Sequence, residues 1–260
     1  MDIAGRIELV KEKMEKAAFR SGRKPGDIRL MGVTKFHNIE KIEEAVNAGL
    51  FLFGESRVQE AAKKYPALKE KYHALELHLI GNLQRNKVKN IFGLFDGIQS
   101  VDREELIRTL GDFSGKNTLG GGDGHGAETS LLEKPLSVLL EMHTGEESKT
   151  GFPDEDALSR AAELVLSFPH LKLSGLMTMA PFTRDVKAVR QSFRKLVSAQ
   201  ACLQRRFPAS KNAGFSCLSM GMSDDFEIAI EEGSTLVRIG TLIFGPPYSD
   251  PVIRPIGEQR

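Results

Sequence analysis

Ile3, Ile7, Val10, Met14 and Ala17 recur at three- and four-residue intervals, with Lys and Glu between them. That spacing predicts one buried face on an amphipathic helix. Ser21-Gly22-Arg23-Lys24-Pro25-Gly26 ends it, since Gly and Pro break the hydrogen-bond ladder a helix needs. From there short apolar runs alternate with helical periodicities. Strands are predicted over Ile28–Thr34, Leu50–Gly54, Leu75–Ile80, Gly97–Val101, Leu136–Met142, Leu171–Met177, Phe215–Ser219 and Thr235–Ile239. Helices are predicted between them over Ile39–Ala48, Val58–Leu68, the basic stretch Gln84–Ile91, and Arg103–Leu110 behind Asp102 as N-cap. Further helices follow over Glu155–Leu166, along the stripe Val186, Val189, Phe193, Leu196 and Val197, and over Asp224–Glu231.

Strict alternation of strand and helix implies parallel strands joined by crossover helices. Eight such units predict a closed (β/α)₈ TIM barrel with an extra N-terminal helix, and 260 residues suit a fold that takes about 250. Six or seven true strands would instead give an open, doubly wound sheet. The stretch 111–134 centres on Gly120-Gly121-Gly122-Asp123-Gly124-His125-Gly126 and is predicted as a loop insertion. It lacks the Lys-Ser/Thr of a phosphate loop. No linker divides the chain, so residues 1–260 are expected to form one domain.

Charge narrows the function classes. The 36 basic and 35 acidic side chains give a net +1, which argues against a broad electrostatic footprint for nucleic acid or anionic membrane. Cys202 and Cys217 form no CxxC pair, as expected of two reduced thiols in a cytoplasmic protein. Met1-Asp2-Ile3-Ala4-Gly5-Arg6 lacks the apolar stretch of a signal peptide. No apolar run approaches the roughly 20 residues of a membrane span. A cytoplasmic monomer is the expectation. The six histidines show no HExxH or other tight ligand spacing, so no zinc site is expected.

In such a barrel, functional groups gather where the strands end, and phosphate often binds after the seventh and eighth strands. Lys35 ends the first strand; Glu55 and Ser56 follow the second; His78 and Gly81 close the third. The run Leu30-Met31-Gly32-Val33-Thr34 is apolar up to Lys35. A desolvated lysine there would have a lowered pKa, and a neutral amine can attack an aldehyde to form an imine. An anion contact or plain surface charge is the alternative. Ser219-Met220-Gly221-Met222-Ser223 after the seventh strand, and Gly240-Thr241 after the eighth, supply hydroxyls and backbone N–H groups for an anion. Arg238 stands between apolar Val237 and Ile239, so its charge needs either a carboxylate such as Glu55 or a ligand. His78, between Leu77 and Leu79, reads equally as a satisfied core histidine.

These residues carry a resemblance. Gly32-Val33-Thr34-Lys35, Phe53-Gly54-Glu55-Ser56-Arg57-Val58-Gln59-Glu60 and His78-Leu79-Ile80-Gly81-Asn82-Leu83-Gln84-Arg85-Asn86-Lys87 occur in order. Ser100-Val101-Asp102, Gly175-Leu176-Met177, Leu218-Ser219-Met220-Gly221-Met222-Ser223 and Val237-Arg238-Ile239-Gly240-Thr241 follow them. Together they resemble the pyridoxal phosphate homeostasis protein family, whose fold is like the N-terminal barrel of alanine racemase. The resemblance implies pyridoxal 5′-phosphate (PLP) as a Schiff base on Lys35, its phosphate on Ser219, Ser223, Gly240 and Thr241, and its pyridine nitrogen facing Arg238. Ser56, His78 and Met222 complete the expected cofactor-binding set. An always-charged arginine at that nitrogen disfavours the pyridinium and weakens the electron sink.

Thr34-Lys35-Phe36-His37-Asn38 stands where the family has Ser-Lys-Thr-Lys-Pro, Ser56 replaces an Asn, and Leu77 replaces a Trp. These departures bear on the ring's 3-hydroxyl side and on the family's second lysine. The resemblance implies a carrier or regulator of vitamin B6 without established turnover, serving PLP-dependent acceptor enzymes. About 20 residues follow Arg238, too few for the second domain of a racemase, and Tyr65, Tyr72 and Tyr248 are the only phenols. The alternatives are a PLP-dependent amino-acid racemase, and a sugar-phosphate barrel using Lys35 as an aldolase-type base.

Overall fold

The computed structural model describes residues 1–118, 134–145, 150–207 and 213–246. Its strands are β1 (Arg29–Val33), β2 (Leu52–Glu55), β3 (Glu76–Leu79), β4 (Gly97–Val101), β5 (Leu136–Glu141), β6 (Leu171–Met177), β7 (Ala213–Ser219) and β8 (Leu236–Ile239). They pair in that order, every pair parallel, and β8 returns to β1 to close the barrel. The expected TIM barrel is therefore present. The helices are α1 (Ile3–Arg20), α2 (Ile39–Asn47), α3 (Val58–Lys71), α4 (Glu104–Thr118), α5 (Glu155–Leu166), α6 (Val186–Arg206), α7 (Phe226–Glu231) and α8 (Thr241–Phe244).

Strand parity sorts the side chains into two layers. Met31, Leu52 and Leu236 point inward and pack with Ile80 and Cys217 inside the barrel. Phe53, Leu77, Ile98, Val237 and Ile239 point outward and join the larger core under the helices. Each fully buried apolar side chain there contributes roughly 1.5–3 kcal/mol. The α1 stripe Ile3, Ile7, Val10 and Met14 is buried and packs against α7, α8 and α2. Asp2 caps it by accepting from Gly5 N–H at 2.9 Å, a contact worth about 1 kcal/mol.

The structure departs from the sequence pattern at two connections. Gln84–Ile91 is a 3₁₀ turn over Arg85–Asn90, closed by Lys87 N–H to Gln84 O at 2.9 Å and Ile91 N–H to Val88 O at 3.1 Å. The tighter winding lets a short segment bury Val88, Ile91, Phe92 and Phe95 in succession. Gly111 does not begin a loop, because α4 runs on to Thr118. A Cβ on Gly111 would lie 2.3 Å from the Phe168 ring, so this glycine permits close packing. Residues 119–133 of the expected loop lie outside the described residues.

Candidate functional site at the C-terminal ends of the strands

Arg238 faces into the barrel from β8 and is 4% exposed. Nη1 donates to Ser219 O at 2.9 Å and to Ser219 Oγ at 2.6 Å; Nη2 donates to Thr178 O at 2.9 Å. Nε takes no part in these bonds. All three acceptors are neutral, and among the described residues no carboxylate forms an ion pair with Arg238. Burial pulls the guanidinium below its usual pKa, while Asp225 and Glu141 push it back up from farther away. Glu55, the partner expected from a structural reading, is elsewhere. It points outward from the end of β2 and pairs with Lys64.

Ser219 is fully buried, and its Oγ donates to Gln99 Oε1 at 2.6 Å while accepting from Arg238. Its only proton is thus committed, so Ser219 holds Arg238 rather than standing as a free phosphate donor. His78 is also inside the barrel, with Nδ1 2.9 Å from Gln99 Nε2 and Nε2 2.8 Å from Glu76 Oε1. Both ring nitrogens have protein partners, which places His78 as a satisfied core histidine below the mouth. Strand parity turns both side chains into the barrel, Ser219 onto Arg238 and His78 onto Gln99.

Ser223 and Thr241 stand at the mouth. Thr241 Oγ1 donates to Ser223 Oγ at 3.0 Å, so the loops after β7 and β8 meet there. Gly221 has φ +97°, and a Cβ would lie 2.6 Å from that of Ala229; only glycine fits this turn. Met222 N–H donates to Asp225 Oδ1 at 2.6 Å, leaving its side chain exposed on the rim. Gly240 lies beside Val33, its added Cβ falling 3.5 Å from Val33 Cβ. Among the described residues no protein acceptor takes the N–H of Thr241 or Leu242 at the start of α8, the donors an anion needs.

Lys35 is two residues beyond Val33, in a turn closed by His37 N–H to Thr34 O at 3.1 Å. Because Gly32 pairs with Ile239, this turn and Gly240-Thr241 leave the barrel side by side. The Lys35 side chain is exposed, not buried as its apolar strand suggests. The turn instead shows strain and support. Phe36 has φ +65°, a conformation that costs a non-glycine residue roughly 1–2 kcal/mol. Its N–H donates to Glu60 Oε1 at 2.8 Å. Lys64 Nζ donates to Thr34 O at 3.0 Å, His37 O at 3.2 Å, Glu60 Oε1 at 2.9 Å and Glu55 Oε1. Thr34 Oγ1 lies 2.9 Å from Glu55 Oε1 and 2.6 Å from Tyr65 OH. Burial raises the Tyr65 phenol well above its usual value, and the ring lies under the turn, not across the mouth from Lys35. Tyr248 lies outside the described residues.

Ser56 follows β2 and touches the loop after β3, where a Cβ on Gly81 would fall 2.2 Å from Ser56 O. It shares a cavity of 310 Å³ with Arg57, Gln59, Asn82 and Lys87. The sequence reading missed Gln99, Lys64, Glu60 and Thr178. Gln99 alone carried a signal, as a polar residue beside Ile98 in a buried strand. No group of three metal-ligating side chains occurs among the described residues, nor any helix long and apolar enough to cross a membrane.

The mouth therefore offers one exposed amine, two hydroxyls with free N–H groups beside them, and one buried guanidinium. That donor set suits an aldehyde carrying a phosphate and a ring nitrogen able to accept a hydrogen bond. The alanine racemase N-terminal domain family model matches residues 12–247. Alanine racemase of Corynebacterium glutamicum superposes with TM-score 0.64 at 14% identity, covering 96% of this chain and 62% of that one, a likeness of fold. Fold and site together define a barrel of the alanine racemase N-terminal-domain class.

Full-length relatives narrow the class. A pyridoxal phosphate homeostasis protein of Aquifex aeolicus is 40% identical over 94% of this chain and 98% of its own length. That of Escherichia coli K12 is 37% identical over 94% and 96%. PipY of Synechococcus elongatus, solved with PLP bound, superposes with TM-score 0.74 at 30% identity, covering 94% of this chain and all of that one. The chain belongs to the pyridoxal phosphate homeostasis protein family.

Proposed function

We propose that this protein binds PLP as a Schiff base on Lys35 and acts in vitamin B6 homeostasis as a carrier or regulator. The observation that carries the reading is Arg238, a buried cation with neutral protein partners only, at the mouth beside an anion cup and a strand-end amine. Nζ of Lys35 bonds the aldehyde carbon with loss of one water. Ser223, Thr241 and the free N–H groups at the start of α8 take the phosphate, with Gly240 giving close access, Met222 on the rim and Ser56 on the opposite side. Arg238 faces the ring nitrogen; Ser219 and Gln99 hold it there. PLP bound in this way supplies an electron sink, which the standing positive charge of Arg238 weakens by opposing protonation of the ring.

The same geometry supports a non-catalytic role. Racemisation needs two opposed acid–base groups, and one of the three phenols, Tyr65, is buried under the Lys35 turn. Mixing the purified protein with PLP is expected to give a visible imine band, and borohydride to fix the adduct on Lys35. Retention of the same band by Lys35→Ala overturns the reading. Exchange of amino-acid α-hydrogen in deuterated water above the level of free PLP would establish a racemase-type enzyme instead.

A further inference from the structure

A run of hydrogen bonds with a single direction crosses the barrel interior. Arg238 Nη1 donates to Ser219 Oγ, and Ser219 Oγ donates to Gln99 Oε1, each at 2.6 Å. Gln99 Nε2 stands 2.9 Å from His78 Nδ1, and His78 Nε2 stands 2.8 Å from Glu76 Oε1. Arg29 Nη2 closes the run on Glu76 Oε2 at 2.5 Å. An amide nitrogen only donates, so Nδ1 of His78 is the acceptor and its Nε2 carries the proton given to Glu76. Burial works to raise the Glu76 carboxyl, but bonds from His78 and Arg29 outweigh it and hold the pKa at about 2. The lower end of the run is therefore a fixed anion.

His78 is the member that can take a second ring proton, and solvent reaches it from the end opposite the Lys35 turn. A cavity of 770 Å³ opens at the N-terminal end of the barrel and is lined by His78 and Glu76. The other charged or titratable groups around it are Arg29 of β1, Asp27 before it, Lys134 before β5, Lys172 of β6 and Cys217 of β7. Burial pushes the Cys217 thiol up to about 11, so it stays neutral.

We propose that Gln99 and His78 are positioning residues for Arg238, and that a second proton on His78, taken up from this basal cavity, is read at the mouth. With a proton on Nδ1, the ring can only donate toward Gln99. The amide must then turn, giving Oε1 to His78 and its NH₂ to Ser219. Ser219 Oγ then accepts from both Gln99 and Arg238, and its own proton is released toward the mouth. The proposal rests on Arg238 facing the ring nitrogen of PLP, as argued above.

The test uses the full-length protein with ¹⁵N-labelled histidine, the His78 signals being assigned from their loss in His78→Gln. Without PLP, neutral His78 is expected as the Nε2–H tautomer; an Nδ1–H tautomer overturns the run's direction. On loading with PLP, reciprocity of coupled equilibria requires the His78 proton affinity to change, by about twofold or more. Gln99→Leu, checked for native circular dichroism and compared at a PLP concentration that saturates each protein's own imine band, whatever its affinity, is expected to remove that change. Ser219→Ala serves in its place if Gln99→Leu does not fold. A wild-type protein that shows the band without a change at His78 overturns the proposal, as does a broken run that keeps the full change. Absence of the band counts against the PLP reading, and the tautomer still tests the run without cofactor.

Discussion

Lys64 and Arg238 are both buried cations at one end of the barrel, on a helix and a strand, and the chain surrounds them differently. Lys64, 7% exposed on α3, meets two carboxylates, Glu55 and Glu60, and two backbone carbonyls. Its charge is neutralised where it sits, and its effect is to tie down the turn that carries Lys35. Arg238 meets one hydroxyl and two carbonyls. Its charge is solvated by dipoles but not cancelled, and the nearest influences, Asp225 and Glu141, are carboxyls whose own pKa values burial raises. A buried charge with neutral partners is costly. Its presence at a strand end is the ground on which this mouth is proposed as a binding site, whereas the Lys64 cluster supports the Lys35 turn.

Removing Lys64 should have the largest effect. Lys64→Met leaves Glu55, fully buried, and Glu60 without their cation. Breaking such a pair costs about 3–5 kcal/mol, measurable by urea unfolding at pH 7. Burial already raises the Glu55 pKa, so in the variant Glu55 takes up a proton readily and the loss should shrink as pH falls. A loss below about 1 kcal/mol at pH 7 would mean that the two cations are not different in kind.

Arg238→Met should cost less stability and more binding. It strips hydrogen bonds from the Ser219 and Thr178 carbonyls, worth about 1–3 kcal/mol, but leaves no stranded anion in contact. PLP affinity should fall about tenfold or more, since charge-assisted bonds contribute 1.5–3 kcal/mol each. Titration of the imine band would check it. A variant that binds PLP as the wild type does would remove Arg238 from the site.

The contrast was half legible in the sequence. Eight strands, their order and the positions of Lys35, Ser223, Arg238, Gly240 and Thr241 at the strand ends follow from periodicity and from the family resemblance, because strand parity and turn chemistry are local. The partners were not legible. Lys64 and Glu60 are surface-type residues at helical spacing, and only the packing of α3 under the Lys35 turn buries Lys64 and partly covers Glu60. Ser219 and His78 were expected at the mouth because they end strands; one residue of register puts their side chains inside the barrel instead. Gln99, which joins them, is far from both in sequence.

His37 offers a smaller, pH-dependent effect on the Lys64 side. Burial, then the charges of Lys41 and Lys64, lower its pKa from 6.5 to about 4, and its Nδ1 has no hydrogen-bond partner among the described residues. The folded state thus favours neutral His37, while the unfolded chain takes up a proton near 6.5. This contribution is fully present above that value and is lost as pH falls toward about 4. His37→Phe should flatten stability over that window, and Lys64→Met should narrow it by removing one of the two opposing cations. An unchanged profile in His37→Phe would show that other groups set it.

The smallest effect is expected where a cation is paired in the open. Arg194, with its side chain 69% exposed, grips Glu232 through Nε at 2.7 Å and Nη2 at 3.1 Å. By contact distance this pair looks as strong as the Lys64 cluster. Water solvates both partners when it breaks, however, and Glu232 keeps Arg190 at 2.7 Å. The loss in Arg194→Ala should therefore be barely detectable, and smaller still in high salt. Urea unfolding at low and high salt would measure it. A loss comparable to that of Lys64→Met would mean that contact geometry, rather than exclusion of water, decides what a cation contributes in this fold.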